Sequence, residues 1–413
     1  MSILYDEDIL SERTDMEIYK NKEKEDRQSR ICRIDKGGCR VIRTIHPVGQ
    51  GAFYSEQFYD ASGNLLRTIV YDCGSYPKSF VNTEVCSFFS PRDVIDVLFL
   101  SHLDYDHISG LEELKQICDI DTVVLPLLNS VDKMYLLCQG IDKLLITDPQ
   151  KYFNSSRVLF VLPSVNDENN HEAEQLQNTE VKYESLDNQL LSGTRIIMPF
   201  DISWVYIPFN FESLARRQLF FPLLKTIDGL KTIDLDDAGQ VDKVIKEADS
   251  HLLEVLKKIF KENLKDGSNR VSMLVYSGPL HVGYNIFDQL DTTLLKDTFL
   301  NGQLKANAVA ALYMGDTDLN DPDLLDRLKS ELNGLDKNIG TVQLPHHGSR
   351  KNFTKDLFQI GTDKGKRLYF ASFGTGNRYG HPSYHVISEV LMSGHVFVAV
   401  TEKRDSVIIQ QIF

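Results

Sequence analysis

His102, Asp104, Asp106 and His107 fall within six residues of one another. Imidazole nitrogens and carboxylate oxygens bind divalent cations, provided a rigid support turns them toward one point. That support is legible next door. Val94–Leu100 is a nearly continuous apolar run, as a buried strand requires, and it ends directly at Ser101 and His102. Gly110 follows, then Leu111, Leu114 and Cys118 at helical spacing. A strand that opens into a polar loop and then a helix can aim all four side chains at one space.

The same arrangement recurs near the C-terminus. Thr341–Leu344 reads as a strand ending at Pro345-His346-His347-Gly348-Ser349, and Leu368–Phe373 as a strand ending near Gly374–Asn377. Val271–Tyr276 and Ala308–Met314 read as strands and Pro322–Leu332 as a helix. Val396–Thr401 and Ser406–Ile412 read as a closing hairpin around Lys403-Arg404-Asp405. Ala52–Tyr59 and Leu65–Asp72 form a second predicted hairpin across the turn residues 60–64. These elements predict an α/β protein of two β-layers covered by helices, with the chemistry at one edge.

Two stretches lie outside this pattern. Half of the first 30 residues are charged, so residues 1–40 read as an N-terminal extension ahead of a 41–413 domain. Residues 120–265 read as an insertion or cap region that could receive a protein partner. Within it, Thr122–Leu127 is a predicted strand, Ser130–Leu145 a helix and Ser164–Gln189 an acidic surface loop. Ile196–Phe211 is aromatic, and Leu252, Leu256, Ile259 and Phe260 form a helical stripe.

His102-x-Asp104-x-Asp106-His107 resembles the metallo-β-lactamase-fold signature His-x-His-x-Asp-His, with Asp104 in place of the second histidine. That replacement is familiar in the ComEC-type branch, the hydrolase domain attached to DNA-uptake channels. Val48-Gly49-Gln50-Gly51, Tyr71-Asp72-Cys73-Gly74, Asn269–Val275, Gly315-Asp316, Leu344–Ser349 and Asn377–Pro382 resemble further motifs of that branch, in the right order. The resemblance implies an αββα sandwich with an inserted α/β region and two divalent cations, Mn or Zn, with Mg also compatible. One would be held by His102 and Asp104 and the other by Asp106 and His107. Asp316 would bridge them, and His347 or His381 would complete the second site. Asp106, His346 and His381 are the candidate catalytic residues, a histidine protonating the departing oxygen.

The sequence departs from the family at two places. Ala52 stands where an acidic residue is usual, and the separate histidine found before Gly-Asp has no clear counterpart. His171 falls in the acidic loop and His251 in a helix, so both read as surface residues; His281 lies between two strands and is the remaining candidate. Oxygen-rich ligation of this kind shifts preference from Zn²⁺ toward Mn²⁺ or Mg²⁺.

Charge narrows the substrate. The 413-residue chain has 59 acidic and 45 basic residues, net −14, which argues against a nucleic-acid coat protein. Against that background Arg350, Lys351, Lys355, Lys364, Lys366 and Arg367 form a basic block just after His347, and Arg378 precedes His381. Arg350, Lys351 and Arg378 are candidate substrate-binding residues, because guanidinium and ammonium groups bind phosphate oxygens. The expected partner is therefore a nucleic acid or nucleotide phosphodiester, and the expected activity that of a nuclease or phosphodiesterase. Two alternatives carry different signatures. A small ester, lactone or thioester hydrolase would need an apolar pocket, for which Trp204, Tyr206 and Phe209 are candidates. A binding subunit would need an idle metal site. The N-terminus lacks a signal-peptide core, no apolar run is long enough to span a bilayer, and six cysteines show no CxxC pairing. These features predict a cytoplasmic protein that does not enter membranes.

Overall fold

The predicted hairpin over 52–72 forms as β2 (Gln50–Tyr59) and β3 (Leu65–Tyr76), paired antiparallel with Tyr59 opposite Leu65. The Asp60 carboxylate closes the turn by accepting the N–H groups of Ser62 and Asn64, both at 2.8 Å. The fold is taken from a computed structural model. It describes residues 39–154, 157–164, 179–199, 203–211, 214–263, 272–281, 290–294, 308–321, 323–361 and 365–412. Residues 1–38 of the expected extension, most of the acidic loop with His171, and Lys364 lie outside the described residues.

β4 (Val94–Phe99) pairs parallel with β3 on one side and with β5 (Asp119–Pro126) on the other. β1 (Arg40–Ile45), β6 (Arg157–Leu162), β8 (Gln189–Leu191), β12 (Leu290–Leu294) and β17 (Ile408–Ile412) complete a nine-stranded sheet, ordered β12-β17-β1-β2-β3-β4-β5-β6-β8. A second sheet has eight strands, ordered β16-β15-β14-β13-β11-β10-β9-β7. These are β7 (Glu180–Lys182), β9 (Arg195–Ile197), β10 (Trp204–Phe209), β11 (Leu274–Pro279), β13 (Ala310–Tyr313), β14 (Ile339–Gln343), β15 (Leu368–Ser372) and β16 (Val396–Val400).

Three apolar clusters define the layers. Val41, Tyr54, Phe58, Trp204, Tyr206, Val275 and Phe370 fill the space between the sheets. Helices over 78–88, 111–117, 130–138 and 214–263 cover the outer face of the first sheet, and helices over 324–332 and 384–392 cover that of the second. A buried polar knot ties the layers together. Glu56 of β2 accepts from Arg43 Nε at 2.6 Å, from Tyr313 at 2.9 Å and from Tyr206 at 2.5 Å. Residues 119–209 supply strands to both sheets.

The closing hairpin expected over 396–412 does not form. β16 pairs parallel with β15 in the second sheet, whereas β17 pairs antiparallel with β1 and β12 in the first. Both strands send apolar side chains (Val398, Val400, Ile408, Ile412) into the same inter-sheet core. Their patterns are therefore equally satisfied by pairing with each other or by lying in opposite layers. The helix expected over 130–145 also breaks. It stops at Cys138, Gly140 turns the chain at φ +81°, and Asp142 caps a new helix over 143–147 by accepting from Leu144 N at 2.7 Å. Among the described residues no helix is long and apolar enough to cross a membrane.

Candidate metal centre

Parallel strands β3, β4, β13, β14 and β15 all deliver their C-terminal ends to one edge of the sandwich, where loops from both sheets meet. Leu100 and Ser101 extend the buried path of β4 to His102, and a one-turn helix over 105–108 carries Asp106 and His107. β13 leads through Gly315 to Asp316, and β14 leads through Pro345 to His346 and His347. Gly315 has φ +51°, and a Cβ there would stand 2.1 Å from Ser272 Oγ and 2.9 Å from Ser101 Cβ. Only glycine permits Asp316 to be brought so close to the 101–107 loop. Asp72, His346 and His347 are non-glycine residues at φ +55°, +48° and +57°. Such strain persists where the surroundings fix it, and here the His346 N–H is held by Gly315 O at 2.9 Å.

Four imidazoles are oriented in the same way. The Asp72 carboxylate can only accept, so His107 donates Nδ1–H to Asp72 Oδ2 at 2.8 Å. Ser101 gives its own proton to Asp72 at 2.7 Å, leaving its oxygen to accept His102 Nδ1–H at 2.8 Å. His347 donates Nδ1–H to Ser372 O at 2.8 Å. Asn352 has its amide nitrogen on Asp316 O, so its Oδ1 accepts His346 Nδ1–H at 2.9 Å. Every Nε2 is thereby left to face a carboxylate in the common space. His107 Nε2 lies 3.2 Å from Asp316 Oδ1, His102 Nε2 3.7 Å and His346 Nε2 3.6 Å from Asp316 Oδ2, and His347 Nε2 3.1 Å from Asp106 Oδ2. Asp104 Oδ2 is 3.9 Å from His102 Nε2.

Ligand atoms of His102, His107 and Asp316 lie within 4.8 Å of one another, as do those of Asp106, His107 and His347. These donor sets fit divalent cations: two imidazoles with a carboxylate in each, Nδ1 anchored and the Nε2 lone pair directed inward. His107 is common to both. Without a cation the imidazoles must supply the positive charge. Burial opposes the charged form of His107, but Asp316 and Asp72 outweigh it and hold the imidazole well above its ordinary value. Burial likewise opposes ionisation of Asp316, and His346, His107 and His102 overcome it, holding the carboxyl well below its usual range. For Asp106 the same opposition is overcome by the hydrogen bond from His347 and the charge of His107, and its carboxyl is also lowered. Burial and the neighbouring His346 and His347 push His381 down to about 4.

The structure thus brings together His102, Asp104, Asp106, His107, Asp316, His346 and His347. His381 stands beside them, its ring centroid 5.2 Å from that of His346. A cavity of about 220 Å³ opens over this group, lined by Asp104, Asp106, His346 and His381. Arg350 and Lys351 are exposed on the turn that follows His347, and Arg378 is exposed on the loop before His381. Two other members of the basic block are engaged elsewhere. Arg367 is buried and donates to Ile339 O and Gly361 O, and Lys355 pairs with Glu389 at 2.8 Å. His281 is exposed beyond the far end of β11, and His251 is exposed on a helix, so neither joins the cluster. Ser101 and Asn352, which bond rings of this cluster, carry no motif of their own, and adjacency to His102 was the one available hint for Ser101; Ser272, which accepts the Asp316 N–H at 3.0 Å, lies in the Asn269–Val275 stretch that the resemblance had marked, without a role.

Residues 66–154 match a family model described as Metallo-beta-lactamase superfamily. Over those residues the chain is similar to the metallo-β-lactamase superfamily. Its two sheets, with helices on both outer faces, form the αββα sandwich of that fold. No curated protein sequence matches the chain. Among solved structures, the metallo-β-lactamase-fold protein YhfI from Bacillus subtilis is similar at 8% identity and TM-score 0.33, over 88% of this chain and 97% of that one. Yeast PDE1 is similar at 10% identity and TM-score 0.40, over 90% and 99%. A long form RNase Z from yeast is similar at 12% identity and TM-score 0.30, over 81% of this chain and 37% of the other.

Proposed function

We propose that the chain is a metal-dependent phosphodiesterase or nuclease of the ComEC-type branch, working with two divalent cations. His102, Asp104 and Asp316 would hold one ion; Asp106, His107 and His347 would hold the other, Asp316 lying between them and His381 at the open side. The observation that carries this reading is the common orientation of four imidazoles, each with Nδ1 anchored and Nε2 turned to a carboxylate. A pair of such ions lowers the pKa of water and neutralises charge on a phosphoryl group. The oxygen-rich contribution of Asp104, Asp106 and Asp316 favours manganese, with zinc and magnesium as alternatives.

The chain's own groups supply the remainder. His346 faces the cavity and keeps its Nδ1–H on Asn352, so its Nε2 can hold the proton delivered to a departing oxygen. Asn352 restrains the ring by bonding Asp316 O with its other end. Arg350, Lys351 and Arg378, exposed on the loops that carry His347 and His381, would contact phosphates flanking the scissile one. The small-ester reading has less support. Trp204, Tyr206 and Phe209 are fully buried between or behind the sheets and line no cavity at this edge.

The test is a panel of single-stranded, double-stranded and cyclic nucleotide substrates with Mn²⁺, Mg²⁺ or Zn²⁺, together with elemental analysis of the purified protein. Phosphodiester cleavage is expected to require added metal and to fall by ~10²- to 10³-fold in Asp316→Ala, the order seen when one preorganised electrostatic group is removed from an active site. Retained turnover in Asp316→Ala removes it from the centre. Cleavage of a small thioester or lactone with every phosphodiester intact overturns the substrate class, and a metal-free, inactive protein supports a binding subunit instead.

A further inference from the structure

The opening above the candidate centre is ringed by tyrosines. Tyr76, at the end of β3, is 62% exposed; Tyr105, between Asp104 and Asp106, is 48% exposed; Tyr379, two residues before His381, is 67% exposed. All three line the 220 Å³ cavity over the carboxylates and imidazoles. Tyr76 and Tyr379 also line a second, adjoining cavity of about 580 Å³, together with Phe80, Arg378, Gly374, Thr375 and Gly376. That volume falls within the roughly 300–1,000 Å³ of small-molecule pockets. The smaller cavity is polar and acidic. The larger one presents three aromatic rings and one guanidinium, with Gln50, Thr375, Asn377 and Glu402 as its other polar side chains.

These rings are held in place. Tyr76 and Tyr105 meet edge to face with centroids 6.2 Å apart, and Tyr379 packs at 6.0 Å from His381. Asn377 staples the loop that carries Tyr379: its Oδ1 accepts from Tyr379 N at 3.1 Å and His381 N at 3.3 Å, and its Nδ2 donates to Gly374 O and His381 O, both at 2.7 Å. Glu402, the acidic group of the larger cavity, has its carboxylate engaged by the Thr375 N–H at 2.9 Å. Aromatic faces left in solvent beside a guanidinium match a flat, apolar base attached to a phosphate.

We propose that the 580 Å³ cavity is a nucleoside subsite, in which Tyr76 and Tyr379 stack on the base next to the scissile phosphate and Arg378 contacts the adjoining backbone. The proposal rests on the phosphodiester reading above and adds what that reading leaves open: recognition of the base itself. Stacking tolerates every base, so the subsite selects for a nucleoside without selecting its sequence.

The experiment compares thymidine 5′-(4-nitrophenyl phosphate) with methyl 4-nitrophenyl phosphate, which share a leaving group and differ only in the nucleoside. The wild-type protein is expected to favour the thymidine ester in kcat/KM. Tyr76→Ala and Tyr379→Ala should each reduce that preference about 5- to 150-fold, the range for one stacked base. Tyr76→Phe and Tyr379→Phe should keep it, because the ring face remains. An unchanged preference in both alanine variants overturns the proposal, as does its equal loss in the phenylalanine variants. If the wild-type protein cleaves neither ester, the phosphodiester reading fails separately, and calorimetry decides the subsite. Tighter binding of adenosine 5′-monophosphate than of ribose 5-phosphate, abolished by Tyr379→Ala, supports it; equal affinities in the wild-type protein overturn it.

Discussion

Asp72→Asn isolates the second layer of the centre. The Asp72 side chain is fully buried; Oδ1 accepts Ser101 N–H at 2.7 Å, and Oδ2 accepts both the Ser101 hydroxyl at 2.7 Å and His107 Nδ1–H at 2.8 Å. An asparagine has nearly the same shape but only one acceptor. If its oxygen stays with Ser101 N–H, its NH₂ faces His107 Nδ1–H, donor against donor. The Ser101 oxygen can accept from the new amide while still accepting His102 Nδ1–H, but the His107 imidazole can only move its proton to Nε2, where it occupies the lone pair needed for a cation. The alternative is to lose a charge-assisted hydrogen bond, worth about 1.5–3 kcal/mol. At 1.36 kcal/mol per decade, that is roughly a 10- to 150-fold loss of metal affinity, overlapping the 10- to 100-fold typical when a ligand's outer partner is removed. Burial holds the Asp72 carboxyl above its ordinary value despite the pull of His107 and Ser101, so the charge is already disfavoured there and a neutral amide is not a heavy burden on the metal-free fold. Competition with a chromogenic chelator for Mn²⁺ or Zn²⁺ should show the affinity loss. The thermal midpoint in EDTA should move by no more than about 4 °C, the shift of about 1 kcal/mol in a domain of 150–250 residues. Unchanged affinity, or a larger thermal loss with affinity intact, refutes the account and makes Asp72 a prop of the fold.

Glu331, pushed up to about 7 by burial against the weaker opposing effects of Ser164 and Arg327, makes stability depend on pH. Its folded-state value exceeds the ordinary 4.5, so its contribution is complete below about pH 4.5 and is lost as pH rises through 7; the loss approaches about 3 kcal/mol. Urea unfolding at pH 5 to 8 should show a flatter profile and greater stability at pH 8 in Glu331→Gln, and parallel profiles would contradict this. Gly315→Ala should lower both stability and metal affinity, since its Cβ would overlap Ser272 Oγ, whereas Gly63→Ala, also at positive φ but with nothing within 4 Å, should cost only about 1 kcal/mol; thermal melts of the two variants check the contrast. Arg350→Ala with Lys351→Ala should reduce the slope of log affinity against log salt by about 0.9 per phosphate contact on duplex DNA, and an unchanged slope places both side chains off the nucleic-acid path.

The candidate ligand loop at 102–107 was legible because its information is local: one apolar strand, then two histidines and two aspartates in six residues, on one sheet. The His346-His347 turn was legible in the same way. Which group bonds which across long stretches of chain was not, although the resemblance had already marked Asp72, Asp316 and His381. Asp72 is 35 residues from His107, and Ser272 is 170 from His102; a serine just ahead of a strand carries no sign of which ring it will meet. Arg367 has the composition of a phosphate ligand and the position of a core residue, because Ile339 O and Gly361 O offer it carbonyls that its sequence neighbours do not reveal.

The misread C-terminal hairpin follows from the same physics and bears on the centre itself. An alternating strand declares which face is buried but not which layer will bury it, and in a two-sheet sandwich both layers bury side chains in one shared interior. β16 and β17 therefore part company, one continuing the parallel run β13-β14-β15 that carries Asp316, His347 and His381, the other closing the first sheet beside β1. Asp72, His102, Asp104, Asp106 and His107 belong to one layer, and Asp316, His346, His347 and His381 to the other. Their convergence is a property of how the layers pack, enforced at Gly315 by a contact that admits no side chain and at Glu56 by hydrogen bonds that cross the interior. A change that lets the sheets slide would separate the two halves of the centre while leaving every local motif intact.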